Sequence, residues 1–423
     1  MYFNILDFGA VGDGRTLNTV NIQKAVNECF ANGGGKVVVP AGVFKTGTVF
    51  LKDNVELHLM SGSVLLGSDN VDDYNTLDAY EQNWDCISEE WLGKHVVAAC
   101  ECSNISITGF GVIDGNGSTY FGDTEENTWS SYGWPNGVRR SRDKQKLRPG
   151  QTVALIECKD VSLRDITIRD TASWSCYIHG CEKVSISGVK IYNQNDHINT
   201  DGIDIDSSRY VTVSDCIILT GDDAITFRCD ENCLKNKDMH CEYVTVTNCI
   251  LSSSAGAFRI GVGTGTIKHI RVSNIVVKRA AVVFNYLTQY GSEGEAKIED
   301  VNFSNVSVDF AGFMFKIFAP DRGFIKDLTI ENVRGNYGCQ SFILGDGNGN
   351  VSNIKLKNID MNMVIPEYSK EIDRKYRGDS ILEFKDALDV TVEDVRISGD
   401  ISTWATKTSF ENCEQLKVIN CEF

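Results

Sequence analysis

Proline is scarce in this 423-residue chain, with 5 residues against 38 glycines, and basic residues are outnumbered, 41 against 58 acidic ones. The deficit leaves a net charge of −17, which argues against nucleic acid and anionic membrane surfaces as partners, since both are polyanions. Residues 1–20 hold no apolar stretch behind a basic start, so neither a secretion signal nor a membrane span is visible there. Helical periodicity is nearly missing as well. Its one clear instance is Thr19–Ala31, with Val20, Ile22, Ala25, Val26 and Cys29 on one side and Gly33, Gly34 and Gly35 behind it as a stop. The 15 cysteines are an odd number, and Cys216, Cys249 and Cys421 share one apolar repeat position, where a free thiol behaves as a small core residue. A reducing, cytoplasmic setting is expected, or a secreted one if a leader has been removed.

What fills the chain instead is a repeat, hydrophobic-x-hydrophobic-x-(Asp/Asn/Gly)-hydrophobic. It starts at Ile105, Val161, Val184, Val211, Val244, Ile270, Val301, Leu328, Ile354, Val390 and Leu416, mostly 23 to 33 residues apart. Two-residue alternation at a fixed longer period means a solenoid of short strands, a parallel β-helix in which each repeat is one coil. The fold class is therefore all-β, with Thr19–Ala31 as a short capping helix that shields an open strand edge. A solenoid grows without splitting, so residues 1–423 are expected to form a single domain. Residues 1–70 are its cap and first coils, and 115–150 an inserted loop beside a groove.

Two adjacent coils carry Asn199-Thr200-Asp201-Gly202 and Gly221-Asp222-Asp223. Matching Ile203 to Ile225 sets Asp201 beside Asp223, about 4.8 Å apart at strand spacing. Gly221 permits a bend that turns Asp222 outward with Asp223. Clustered carboxylates do not all ionise cheaply, so one is expected to hold a proton while another stays charged, as general acid and general base chemistry requires. The same register gives outward columns Tyr177, Asp204, Thr226, Arg259 and His179, Asp206, Arg228, Gly261, one wall of a groove. Turn aspartates commonly serve the backbone, and Asp206 beside Arg228 reads equally well as an ordinary cross-strand ion pair. Three like charges on neighbouring coils are harder to assign to structure alone.

These motifs resemble the polygalacturonase family of glycoside hydrolases, family 28. The opening Leu6-Asp7-Phe8-Gly9-Ala10-Val11-Gly12-Asp13-Gly14, with Val38-Val39-Pro40-Ala41-Gly42-Val43-Phe44, is similar to its N-terminal cap. The two aspartate motifs are similar to its catalytic motifs in type and spacing. The resemblance implies a right-handed parallel β-helix and inverting hydrolysis with no metal or other cofactor. It makes Asp222 the general acid, with Asp201 and Asp223 activating water. Asn199, Asp204, Tyr177, His179, Arg228 and Arg259 are the expected substrate-binding residues. Where the family has Gly-His-Gly the chain reads Ala255-Gly256-Ala257, as some members similar to rhamnogalacturonan hydrolases also lack that histidine. Where polygalacturonases carry Arg-Ile-Lys, the register gives Val283, Phe284 and Asn285. Either Arg228 and Arg259 replace that grip on a galacturonate carboxylate, or the key sugar is neutral.

The insertion holds Trp129, Tyr132, Trp134, Arg139, Arg140, Arg142 and Arg148, a composition suited to sugar stacking and carboxylate binding, or to a packed surface loop. Closing one end of a groove favours exo action on oligosaccharides. Cys229, Cys233, His240 and Cys241 invite comparison with a zinc knuckle, but their spacing fits no standard finger and a plain loop is the expectation. Two other classes fit the motifs. A lyase or epimerase would hold calcium on the aspartates and use Arg228 or Arg259 as base, and a non-catalytic solenoid would bind glycans without cleaving them. The expected partner is an oligosaccharide.

Overall fold

A computed structural model describes residues 1–75, 93–127, 138–142, 147–231, 234–289, 295–320, 322–364, 379–402 and 404–423, with backbone alone for 123–127 and 138–142. Its internal contacts define two compact units. One comprises Met1–Glu126, Arg140–Asp222 and Asn232–Met239; the other comprises Asn127–Arg139, Asp223–Glu231 and His240–Phe423. Each is built of parallel strands stacked coil on coil.

The repeat and the strand register coincide. Ile105, Val161, Val184 and Val211 are successive strand partners in the first unit. Val244, Ile270, Val301, Leu328, Ile354 and Val390 are successive partners in the second. All of them are buried, and each contributes roughly 1.5–3 kcal/mol of apolar transfer free energy. The Asp/Asn/Gly of the repeat is where each coil bends. Asp165, Gly188 and Asp215 have φ of 65°, 64° and 58°, a left-handed conformation that these residues enter at low cost. In the second unit asparagine takes that place at 248, 274, 305, 332 and 358, with φ between 49° and 57°. Their side chains form a ladder: Asn274, Asn305, Asn332 and Asn358 each donate to the asparagine one coil back, at 3.4, 3.3, 3.2 and 2.7 Å. Inside this unit Phe258, Phe284 and Phe303 interlock, with centroids 4.6 to 6.3 Å apart.

The helix spans Thr19–Ala31 and packs against strands Tyr2–Asn4, Gly35–Val39 and Val49–Phe50. Its buried residues are Ile22, Ala25, Val26 and Cys29, an i, i+3, i+4, i+7 set. Val20, expected on that face, falls outside the set and is 63% exposed. The glycine stop closes the helix as expected, with Gly34 N–H donating to Cys29 O at 2.9 Å and φ of 87° at Gly33 and 109° at Gly34. Thirteen cysteines among the described residues are thiols, and Cys216 and Cys249 are buried. Cys421, expected in the core, is only half-buried because it lies in the last coil, which has no further coil to cover it. Among the described residues no helix is long and apolar enough to cross a membrane.

Candidate active site

In the first unit the strand Ile203–Asp206 lies on Cys176–His179, pairing Tyr177 with Asp204 and His179 with Asp206, the expected register. Ile203 and Ile205 face the core. Their neighbours were expected on an open groove wall, yet Tyr177 is 6% exposed and His179, Asp204 and Asp206 are 0% exposed. Alternation fixes which face a side chain takes, not what lies over that face. Ala154 and Ile156 are the strand partners of Tyr177 and His179, and Leu234 and Met239 pack on them. Tyr177 Oη donates to Asp206 Oδ2 at 3.2 Å, Trp174 sits edge-on to Tyr177 at 5.3 Å, and His179 Nε2 is 4.0 Å from Asp206 Oδ1. Tyr177, His179 and Asp204 therefore form a covered polar layer rather than a substrate-contacting wall. Burial, with the Asp204 charge adding to it, pushes the Cys176 thiol up to about 12.

Asp201 and Asp222 come together in this unit. One carboxylate oxygen of each lies within 4.8 Å of the other. Asp201 is 7% exposed and its carbonyl accepts from Ser175 N–H at 2.9 Å and Ser175 Oγ at 2.7 Å. Asp222 is half-buried, and its Oδ2 accepts the Asn199 N–H at 3.0 Å. Asn199 is in the left-handed region, φ 54°, which aims that N–H across to the next coil. Its own Oδ1 accepts from Arg148 at 2.9 Å, and Arg148 also donates to Ala172 O at 3.0 Å. Arg148, expected on a ligand-facing loop, is thus a 1%-exposed brace behind Asn199. The side chains of Trp129, Tyr132, Trp134, Arg139, Arg140 and Arg142 lie outside the described residues. Gly221 is required for space rather than for φ: a Cβ there would sit 2.1 Å from His197 O.

Asp223, next in the chain, opens the second unit. Its Oδ1 accepts the Gly256 N–H at 2.6 Å, and a Cβ on Gly256 would meet that oxygen at 2.7 Å. Glycine at 256 is therefore the residue that lets the backbone hold Asp223. Arg259 Nε lies 3.3 Å from Asp223 Oδ2, with the two side chains 10% and 8% exposed. Straight across the preceding coil, Arg259 faces Thr226. A guanidinium, however, reaches diagonally between columns, and the arginine is an ion-pair partner of Asp223. Arg228 also departs from expectation: the ladder shifts register between Phe227 and Cys229, so it does not oppose Gly261, and it is half-buried.

Thr226, Arg259, Asn285, Lys316 and Phe342 form one outward column on successive coils. Lys316 was missed by the sequence reading. Its signal is the alternation Phe313-Met314-Phe315-Lys316-Ile317, read one coil past Asn285. Its Nζ is 5.0 Å from the Phe313 ring centre and 5.9 Å from that of Phe342. Burial, and then the nearby Arg259 charge, hold its ammonium below the ordinary lysine value.

Residues 29–344 match the family model of glycosyl hydrolases family 28. The chain belongs to that family. The matched span includes every candidate site residue, and the fold class of this family-28 chain is the right-handed parallel β-helix. It is 30% identical over 309 residues to an exo-poly-α-D-galacturonosidase of Dickeya chrysanthemi, covering 65% of this chain and 50% of that protein. It is 25% identical to a probable polygalacturonase of Vitis vinifera, covering 80% and 64%. The chain thus spans about half to two thirds of the length of these relatives. A solved family 28 exopolygalacturonase of Yersinia enterocolitica superposes with a TM-score of 0.72 at 22% identity, covering 98% of this chain and 78% of that one.

Proposed function

We propose that this family-28 protein is a glycoside hydrolase that removes sugar units from the end of a pectic oligosaccharide, with Asp222 as general acid and Asp201 and Asp223 activating water. The observation that carries the reading is the pairing of Asp201 and Asp222 within 4.8 Å, with the Asp222 carboxylate held by the Asn199 N–H and the Asp201 backbone carbonyl held by Ser175, in a chain of this family. Two carboxyl groups that close can reach one glycosidic bond together, one to protonate the leaving oxygen and the other to take a proton from water. The Asn199 N–H favours a fixed orientation of Asp222 toward a leaving oxygen. Asp223 is held by the Arg259 guanidinium and the Gly256 N–H, which suits it to orient water.

Inversion is part of the proposal on the family's account. Inverting pairs usually stand about 6.5–9.5 Å apart, wider than the Asp201–Asp222 approach, so inversion rests on the family and not on this spacing. Exo action rests on the Dickeya relative. Galacturonate-containing oligosaccharides are the favoured class because Arg259 and Lys316 share one column. The test is digestion of defined oligogalacturonides, with NMR of the first anomer and chromatography of chain length. Stepwise loss of terminal sugar with inverted configuration is expected. Random mid-chain cleavage overturns exo action, and an unsaturated product absorbing in the near ultraviolet overturns hydrolysis in favour of a lyase. Asp222→Asn should fold and bind oligosaccharide while losing ~100- to 10,000-fold in kcat. Activity within a few-fold of the parent removes Asp222 from the mechanism.

A further inference from the structure

Apart from the aspartates, the second unit carries a mixed-donor cluster. Strand Ile225–Cys229 ends at a thiol, and the chain returns to strand Cys241–Thr247 through His240. Cys229 Sγ, a Glu231 carboxylate oxygen and a His240 ring nitrogen all lie within 4.8 Å of one another. This is not the four-residue set suggested by spacing alone. Cys241 is a core residue opposite Ile267, Cys233 lies outside the described residues, and Glu231 is the additional donor.

Three independent features point to a ligand among these donors. Cys229 Sγ donates to Glu231 Oε2 at 3.4 Å, a contact that a metal would take over once the thiol proton leaves. With zinc bonds of about 2.3 Å to thiolate sulfur and about 2.0–2.2 Å to a carboxylate oxygen, a tetrahedral angle sets these two atoms roughly 3.5 Å apart. His240 Nδ1 is buried and has no hydrogen-bond partner among the described residues. An unmet buried polar atom costs about 1–3 kcal/mol, which a metal bond removes. Gly265 supplies the space: a Cβ there would lie 1.7 Å from Glu231 Oε2 and 2.4 Å from Cys229 Sγ. Gly265 is not among the positive-φ glycines, so the conformation does not require glycine and the room for the donors does.

We infer that Cys229, Glu231 and His240 bind one zinc ion. A thiolate, an imidazole and a single carboxylate select zinc over calcium or magnesium, which take oxygen ligands. On binding, Cys229 gives up its thiol proton to solvent, neutral His240 donates a ring lone pair, and water fills the fourth position. The ion joins the end of strand Ile225–Cys229 to the start of strand Cys241–Thr247. It is separate from the proposed hydrolysis and makes no claim on that chemistry.

The test uses the full chain without an affinity tag, incubated with zinc, dialysed and measured by native mass spectrometry and elemental analysis, beside Glu231→Gln, His240→Gln and Cys229→Ser. About one zinc per chain is expected. Each variant should lose more affinity than the ~10–100-fold that removing an outer-shell partner costs. Cobalt in place of zinc should give a thiolate charge-transfer band that Cys229→Ser alone abolishes outright. Circular dichroism of the polar variants Glu231→Gln and His240→Gln separates ligand loss from misfolding. A wild-type chain that retains no zinc overturns the inference, and so does equal zinc content in folded Glu231→Gln and His240→Gln.

Discussion

Arg259 and Lys316 occupy the same column but do different work. Arg259 is buried against Asp223, so removing its head group leaves a carboxylate in a covered site with the Gly256 N–H still donating to it. Breaking one side of a buried pair costs about 3–5 kcal/mol. Arg259→Ala is therefore expected to lower the melting temperature clearly and to lose kcat; a variant with unchanged stability would mean the pair is not held in solution. Lys316 stands two coils on, with the Phe313 and Phe342 rings beside its ammonium, and in the proposed function it is the cation that meets a sugar carboxylate. Losing a charge-assisted hydrogen bond of about 1.5–3 kcal/mol predicts a KM for oligogalacturonides raised ~10- to 100-fold in Lys316→Ala, with kcat much less changed. Because its pKa lies below the ordinary 10.5, Lys316 loses its proton at a lower pH than a free lysine would. Any grip it has on an anionic sugar is lost as pH rises through that lowered value. KM should therefore climb on the alkaline side before pH 10.5 in the parent, and Lys316→Arg should flatten that climb; identical profiles would take Lys316 out of the binding subsite.

At the level of coils and bends, glycine and asparagine decide where the aspartates point. Gly221→Ala forces a Cβ onto His197 O, 2.1 Å away, so the bend carrying Asp222 must shift. We expect that variant to fold with reduced stability, of the order of the 1–3 kcal/mol cost of overpacking, and to lose most of its kcat. Near-normal kcat would show that Asp222 does not depend on this bend. The repeat starts, the helix ends and the left-handed bends were legible from sequence, because each rests on local periodicity or on a residue's own φ preference. Register set Asp201 beside Asp223, whereas the carboxylate within 4.8 Å of Asp201 in the first unit is that of Asp222, for which the bend at Gly221 was the signal. Exposure was not: Tyr177, His179 and Asp204 face outward as the period-2 rule says, yet Leu234 and Met239, far along the chain, pack on the strand partners beside them. The Asp223–Arg259 contact was also hidden, since column counting compares residues straight across and a long side chain reaches diagonally. Gly256 looked like a missing histidine in the sequence; in three dimensions its lack of a Cβ is what admits the Asp223 carboxylate.

For the whole molecule, net charge and local charge oppose each other. The chain carries −17 at pH 7, while the proposed subsite presents Lys316 to a substrate that is itself a polyanion if it is pectic. Long-range repulsion from the excess acid acts over the Debye length, about 30 Å at 0.01 M salt and about 10 Å at 0.1 M, so salt relieves it. The short-range grip of a half-buried ammonium is screened far less. A long polygalacturonate feels the whole field, and a short oligomer feels mainly the subsite. We therefore expect kcat/KM on the polymer to rise several-fold as salt goes from ~0.01 to ~0.1 M, with much less change on a trimer. Should salt instead depress both substrates alike, the local cations govern encounter and the acidic surface is irrelevant to substrate choice. Should neither respond, the sugar that is bound is neutral, and the carboxylate-binding role of Lys316 falls with the galacturonate reading.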